Sequence, residues 1–285
     1  MRKRKEAAPI TNVVVISDTH CGCRLALCPP EVSLDEGGSY QPSKLQATVW
    51  AWWEEFWGEW VPKATRGEPF IVVHNGDAID GNHHDSCSQI SHNMVDQSRI
   101  AYEVLKPVVD ACEGRYFHIR GTEAHVGKSG QAEEALAQQL GAIPNEDGQF
   151  ARYELWLRIG EGLAHIMHHI GTTGSAAYET TALMKEFAES CAESARWERK
   201  APNVVIRSHR HRNAEIKVPT KDIYGICCTT AGWQLKTPFA WKIPGGRVTT
   251  PQVGGTLIRY GDEDHCYTRH WIKEISRSKE EVCNA

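Results

Sequence analysis

Five short apolar runs in this chain each stop on a polar, ligand-type residue. The runs are Asn12 to Ser17, Pro69 to His74, Arg115 to Ile119, Leu163 to Met167 and Asn203 to Ile206. At or just beyond their ends stand Asp18-Thr19-His20, Asn75-Gly76-Asp77-Ala78-Ile79-Asp80, Gly121-Thr122-Glu123-Ala124-His125, His168-His169 and Ser208-His209-Arg210-His211. Short β-branched runs bounded in this way read as strands of a sheet covered on both faces. An open α/β sheet places its binding crevice beyond such strand ends. A single Asp or His there is ordinarily a cap or turn residue. Five such segments bearing carboxylates and imidazoles point instead to two divalent ions, since a shared carboxylate offsets the repulsion of cations about 3.5–4 Å apart.

Helical patterns separate these strands. Lys44 to Ala64 carries Trp50, Trp53, Trp57 and Trp60, with Glu54, Glu55 and Glu59 between them, as an amphipathic helix does. Its aromatic stripe reads as core packing, with a partner-binding face as the alternative. Met94 to Asp110, Gln131 to Leu140 (stopped by Gly141) and Tyr178 to Arg199 read as helices, and Cys28 to Pro42 as a long loop. Tyr153 to Ile159 and Leu163 to Met167 form consecutive strands around Gly160-Glu161-Gly162. Glu215 to Thr230 and Gly255 to Trp271 read as strands of a mixed β region. From Asp222 onward this reads as extra β structure completing the second sheet, with a substrate-specificity or oligomer surface as the alternative. Strands and helices alternate early and β dominates later, without repeats or low-complexity linkers. A single domain over residues 1–285 is expected, with a basic arm at 1–10 and a flexible tail at 274–285.

Charge narrows the function classes. Lys and Arg number 32 against 36 Asp and Glu, a net charge of −4, so no global positive field holds nucleic acid non-specifically. A phosphate-bearing substrate has to be attracted locally. No apolar run approaches the roughly 20 residues of a membrane helix. After the basic start Met1 to Lys5, the run Val13 to Ile16 is too short for a secretory signal. The 10 cysteines therefore read as reduced thiols of a cytoplasmic protein. Cys21, Cys23 and Cys28 lack C-x-x-C spacing, so no structural zinc is expected from them.

The five polar segments together resemble the calcineurin-like metallophosphoesterases, whose motifs run D-x-H, G-D-x-x-D, G-N-H-[DE], a lone H after a strand, and G-H-x-H. The match runs in order from about Asn12 to Arg212; the first two motifs are complete, and Ser208 replaces the glycine of the last. The resemblance implies an α/β fold, a four-layer α/β/β/α sandwich with two mixed β-sheets. It also implies two divalent metal ions, manganese first, with iron, zinc or nickel open. By the same resemblance Asp18, His20 and His211 hold the first metal and Asp77 bridges both. His209 and His168 hold the second, with His169 the alternative to His168, and Asp80 orients a ligand by hydrogen bonds. The third motif departs from the family: Thr122-Glu123-Ala124-His125 stands where Asn-His is expected. Glu123 is read as the oxygen ligand to the second metal, with Thr122 as its competitor, and His125 as the acid that protonates the leaving oxygen.

The activity so implied is hydrolysis of phosphate esters by direct attack of a metal-bridging hydroxide, with no phosphoenzyme. A Glu123 ligand would lower the positive charge of the centre and favour a diester. A phosphodiesterase acting on nucleotides or nucleic acid is therefore the first reading. A phosphomonoesterase or protein phosphatase, or an impaired scaffold that binds a protein partner, are the alternatives. Arg210 is the preferred catalytic cation among Arg207, Arg210 and Arg212, since strand alternation lets at most one or two of them face the site. His83, His84, Asp85 and His92 are candidates for the pocket rim. Gly127-Lys128-Ser129 resembles the end of a P-loop, but the first glycine of that motif would fall at Thr122.

Overall fold

Asn12–Ile16 forms a fully buried strand, β1. Side chains alternate along it: Val13 and Val15 enter one apolar cluster, Val14 and Ile16 another. The computed structural model describes residues 9–83, 85–171, 175–221, 223–243, 246–261, 263 and 265–275. Most of the expected arm and tail, and His84, lie outside the described residues.

After β1 come β2 (Val32–Leu34), β3 (Gly38–Tyr40), α1 (Lys44–Glu55), α2 (Val61–Ala64) and β4 (Phe70–Asn75). The middle of the chain holds α3 (Met94–Ala111), β5 (Tyr116–Ile119), α4 (Glu123–Val126), α5 (Gln131–Leu140), β6 (Ala151–Arg152), β7 (Glu154–Ile159) and β8 (Gly162–Met167). Then follow α6 (Glu179–Arg196), β9 (Val204–Arg207), β10 (Ala214–Thr220), β11 (Ile223–Thr229), β12 (Gln252–Tyr260) and β13 (Cys266–Glu274).

The result is a mixed α/β protein with two principal sheets. The first has the order β13-β12-β1-β4-β5-β6 and the second β10-β11-β9-β8-β7. β1, β4, β5 and β6 run parallel, as do β8, β9 and β11. The strands that precede the polar segments are thus parallel within their sheets. Val14, Ile16 and Val72 pack with α1, α3 and α5 residues such as Val49, Ile100 and Leu136. Val13, Val15 and Val73 meet Ile166, Val204 and Ile206 of the second sheet. On the far side of that sheet, Leu183 and Phe187 of α6 cover Val205 and Cys227.

Local chemistry explains the boundaries. Ser43 caps α1 by a reciprocal pair: its Oγ accepts from Gln46 N at 3.2 Å, and Gln46 Oε1 accepts from Ser43 N at 3.0 Å. Gly141 ends α5 in a left-handed conformation at φ 75°. The Trp-bearing helix is interrupted by a π-helical turn, Phe56–Trp60. Its stripe is core: Trp53 meets Trp233 edge-on at 4.7 Å and Phe56 stacks on Trp60 at 5.2 Å.

Two expectations are corrected. The loop Cys28 to Pro42 contains the β2–β3 hairpin. The late strands do not all complete the second sheet: β12 and β13 extend the first, because β12 pairs antiparallel with β1. Among the described residues, no helix is long and apolar enough to cross a membrane.

Candidate metal centre

The loops after β1 and β4 are laced together, with Asp18 N donating to Gly76 O at 2.9 Å and His20 N to Asp77 O at 3.0 Å. The loops after β8 and β9 join by Ser208 N donating to His168 O at 2.8 Å. His209 N then reaches Asp18 Oδ2 at 3.3 Å, tying the two sheets' ends together. The backbone does unusual work here: Asp18, His20, Asp77, His209 and His211 all have left-handed φ values, 53°, 41°, 56°, 71° and 51°. Each such residue carries a steric cost, and strain of this kind collects at functional sites. Gly121 is required beside them, because a Cβ there would collide with the Asp77 backbone and carboxylate.

Two ligand-type clusters result. Asp18, His20 and His211 form one and Asp77, His168 and His209 the other, the donor atoms of each lying within 4.8 Å of one another. Asp77 also groups with His20 and His125, so it stands between the two. In the first cluster His211 Nε2 lies 3.1 Å from Asp18 Oδ1 and 3.1 Å from His20 Nε2. In the second, Asp77 Oδ2 lies 3.1 Å from His168 Nε2, 3.2 Å from Thr122 Oγ1 and 4.0 Å from His209 Nδ1. His168 Nδ1 donates to Asn75 O at 2.6 Å, which turns Nε2 toward Asp77. His169 is exposed and meets His168 edge-on from outside, so His168 is the inward imidazole.

Electrostatics follow from this pairing. Burial works to raise Asp18, but the His211 and His168 charges overcome it and hold the carboxyl well below its usual range. Asp77 is likewise held low, with His168 and His125 outweighing burial. Burial opposes a charged His168, yet Asp77 and Asp18 carry it up to about 10. His125 goes the other way: burial dominates and, with His20 and His83 nearby, brings it down to about 4 despite Asp77.

A surrounding layer fixes these groups. Asp80 Oδ2 accepts from Gln89 Nε2 at 2.8 Å and Oδ1 from Gln234 Nε2 at 3.1 Å, while Oδ1 lies 3.3 Å from His20 Nδ1. His125 Nδ1 donates to Asp80 O at 2.6 Å, leaving Nε2 directed at Asp77 Oδ2, 3.9 Å away. Fully buried Glu133 clamps two loops at once: Oε1 accepts from Ala78 N at 2.8 Å and Oε2 from Gly121 N at 2.6 Å. Sequence reasoning missed Gln89, Gln234 and Glu133. The signal for Glu133 was available, since it shares the buried face of α5 with Leu136, Ala137 and Leu140.

At the third motif the structure separates the two oxygen candidates. Glu123 opens α4 and lines a neighbouring cavity with Val126 and Lys128, outside both clusters. The Thr122 hydroxyl stands in the expected place, 3.1 Å from His209 Nδ1 and 3.3 Å from His168 Nε2. Thr122 is the N-cap of that short helix, so the chain has already turned away from Asp77 when it reaches Glu123. Arg207 also departs from the site: it is buried and pairs with Glu186 at 2.8 Å. Arg210 and Arg212 do line the central cavity of about 540 Å³, and Arg210 donates to Gly171 O. His83 lines it as well, whereas Asp85 and His92 are exposed and do not.

The residues present fit divalent cations. Carboxylate oxygens and imidazole nitrogens converge in each cluster, and two imidazole nitrogens, His20 Nε2 and His211 Nε2, face each other at 3.1 Å beside Asp18 Oδ1. Such donors suit manganese, iron, zinc or nickel.

No protein-family model matches the chain, and no curated relative does either. Among solved structures it is similar to Vps29 from Chaetomium thermophilum, at 10% identity and a TM-score of 0.38, over 94% of this chain and 100% of that one. It is also similar to the sulfate thiohydrolase SoxB from Thermus thermophilus, at 10% identity and a TM-score of 0.39, over 95% of this chain and 57% of that one. A hypothetical Thermus thermophilus protein matches at 10% identity and a TM-score of 0.40, over 92% and 99% of the two chains. At these levels the functional reading rests on the side chains themselves.

Proposed function

We propose that the chain is a phosphate-ester hydrolase of the calcineurin-like metallophosphoesterase type, one domain layered α/β/β/α around a site for two divalent metal ions. The carrying observation is Asp77, a buried carboxylate on a left-handed backbone that belongs to ligand-type groups on both sides of it. The three apolar clusters, helix on sheet, sheet on sheet and sheet on α6, support the layering.

Asp18, His20 and His211 would hold one ion, His168, His209 and the Thr122 hydroxyl the other, with Asp77 shared. When bound, such a pair supplies positive charge that polarises a phosphoryl oxygen and acidifies water. The protein's own contribution is positioning. Asp80, held by Gln89 and Gln234, orients His20, and through its carbonyl it fixes His125. His125 Nε2 is the atom offered to the leaving oxygen. With Nδ1–H on Asp80 O and burial bringing the ring down to about 4, it serves as a general acid once Nε2 has taken up a proton. Arg210, at the cavity wall, adds charge toward the non-bridging oxygens.

With Thr122 in place of Glu123, the charge argument for a diester no longer applies. A second observation favours a diester: two cavities, of about 540 and 1000 Å³, meet at His83, Ala124 and His125. A phosphodiester carries substituents on both sides of phosphorus and can use both. Nucleotides or nucleic acid remain the proposed substrate class, manganese the proposed ion, and the cytoplasm the proposed location, in keeping with free thiols at the described cysteines.

The test compares bis-p-nitrophenyl phosphate with p-nitrophenyl phosphate at one pH, using chelator-stripped protein with and without manganese. Manganese-dependent hydrolysis that is faster on the diester supports the reading. Hydrolysis of the monoester alone overturns the diester preference, and metal binding without turnover of either points to a scaffold.

A further inference from the structure

A different set of ligand-type side chains lies outside the lining of this cavity, where the two sheets meet at their edges. β10 is the edge strand of the second sheet and β13 that of the first. Glu215 and Cys228 are direct partners in the β10–β11 register, so their side chains share a face. Cys228 belongs to the apolar cluster between the sheets. Across that space His270 of β13 points at them, with Nε2 donating to Glu215 Oε2 at 2.8 Å. Thr268, two residues earlier on the same strand, also donates to Glu215 Oε2. His270 Nδ1 is held by Thr256 Oγ1 at 2.9 Å and by Asn213 Nδ2 at 3.2 Å.

We propose that Glu215, Cys228 and His270 form a separate zinc-type site that pins the two sheets together at this edge. Their donor atoms lie within 4.8 Å of one another, and they offer one oxygen, one sulfur and one nitrogen. Zinc accepts all three kinds, usually in four-coordinate geometry, with water able to complete the set. A hard ion such as manganese is a poor match for a thiolate. The side chains of Glu215 and His270 remain 21% and 18% exposed, which gives an ion a route from solvent to the buried sulfur. The Thr256 hydroxyl, which can accept an Nδ1–H, holds the imidazole as an outer partner of a metal-bound histidine does. On binding, Cys228 Sγ releases its proton to water as the sulfur–metal bond forms. His270 stays neutral by giving up the Nε2 proton and taking one at Nδ1. Thr256 Oγ1 then accepts that N–H as a hydrogen bond, and the Asn213 amide keeps its bond to Thr229 O at 2.8 Å. Sequence spacing gave no warning, because the three residues come from three strands and no C-x-x-C pattern is involved.

Cobalt titration of the chelator-stripped full chain tests the site independently of phosphoesterase activity, since the cavity centre offers no sulfur. The expected result is a thiolate-to-cobalt charge-transfer band in the near ultraviolet, whose final amplitude corresponds to one thiolate-bound cobalt per chain. The band should disappear in Cys228→Ser, checked as folded by circular dichroism, and weaken in His270→Gln. Zinc-loaded wild-type protein should hold one ion more per chain than Cys228→Ser. Absence of the band in the wild type, which needs no variant, overturns the proposal. So does a band that persists in folded Cys228→Ser.

Discussion

Asp77 and Thr122 are joined twice: Thr122 N donates to Asp77 Oδ1 at 2.6 Å and Thr122 Oγ1 to Asp77 Oδ2 at 3.2 Å. The hydroxyl therefore sits among Asp77, His168 and His209, while Glu123 does not. Thr122→Val keeps the shape and the N–H but loses the oxygen. It should weaken the second manganese-binding step by about 10–100-fold, the range found when groups supporting a metal site are removed. Glu123→Gln should leave both steps unchanged. Isothermal titration separates the two outcomes, and the reverse pattern would restore Glu123 as the ligand.

Glu133 should matter although it touches no substrate. Glu133→Gln leaves one of two buried backbone donors, Ala78 N or Gly121 N, facing an amide N–H₂. The expected cost is about 1–3 kcal/mol in urea unfolding. Manganese affinity should fall with it, because those loops carry Asp77 and Thr122. A loss of stability with unchanged affinity would reduce Glu133 to a purely structural role.

His125→Ala should retain manganese stoichiometry while slowing hydrolysis, by about 10²–10⁴-fold for esters with poor leaving groups. Esters of p-nitrophenol need little protonation and should be affected least. Rates across a leaving-group series measure this, and a uniform loss along the series would argue against proton transfer by His125.

The strand ends were legible in the sequence because burial on both faces forces short β-branched runs, and because Asp18, Asp77, His209 and His211 fall at the ends of such runs. The choice between His168 and His169 was not legible: both lie just past the end of β8, and the bond from His168 Nδ1 to Asn75 O, far away in sequence, fixes which turns inward. Chemistry alone ranks the Glu123 carboxylate above the Thr122 hydroxyl as a ligand; the α4 cap, which sets Thr122 beside Asp77 and Glu123 on a neighbouring cavity, is not encoded in that ranking. The assignment of β12 and β13 to the first sheet depends on long-range pairing with β1, which local patterning does not encode.

His165 predicts a pH dependence of stability remote from the cavity. Burial, helped by the Arg207 guanidinium, pulls it down to about 4 against the Glu154 hydrogen bond. Its folded value thus lies below the roughly 6.5 of an unfolded histidine. As pH falls from about 6.5 toward 4, the unfolded chain takes up a proton that the folded one refuses, so stability is lost over that window. His165→Phe, which can keep the 4.1 Å stacking on Trp156, should flatten the slope of unfolding free energy there. The change is at most about 1.4 kcal/mol per pH unit. Urea unfolding of both proteins between pH 4 and about 7 provides the comparison, and parallel slopes would contradict it.

The most direct measurement is manganese stoichiometry on chelator-stripped wild-type protein and on Asp77→Asn, with bis-p-nitrophenyl phosphate hydrolysis followed in the same samples. The account predicts two ions per wild-type chain, at most one in Asp77→Asn, and hydrolysis lost with the shared carboxylate. A wild-type chain that binds no manganese, or an Asp77→Asn chain that binds two and hydrolyses at the wild-type rate, would contradict it.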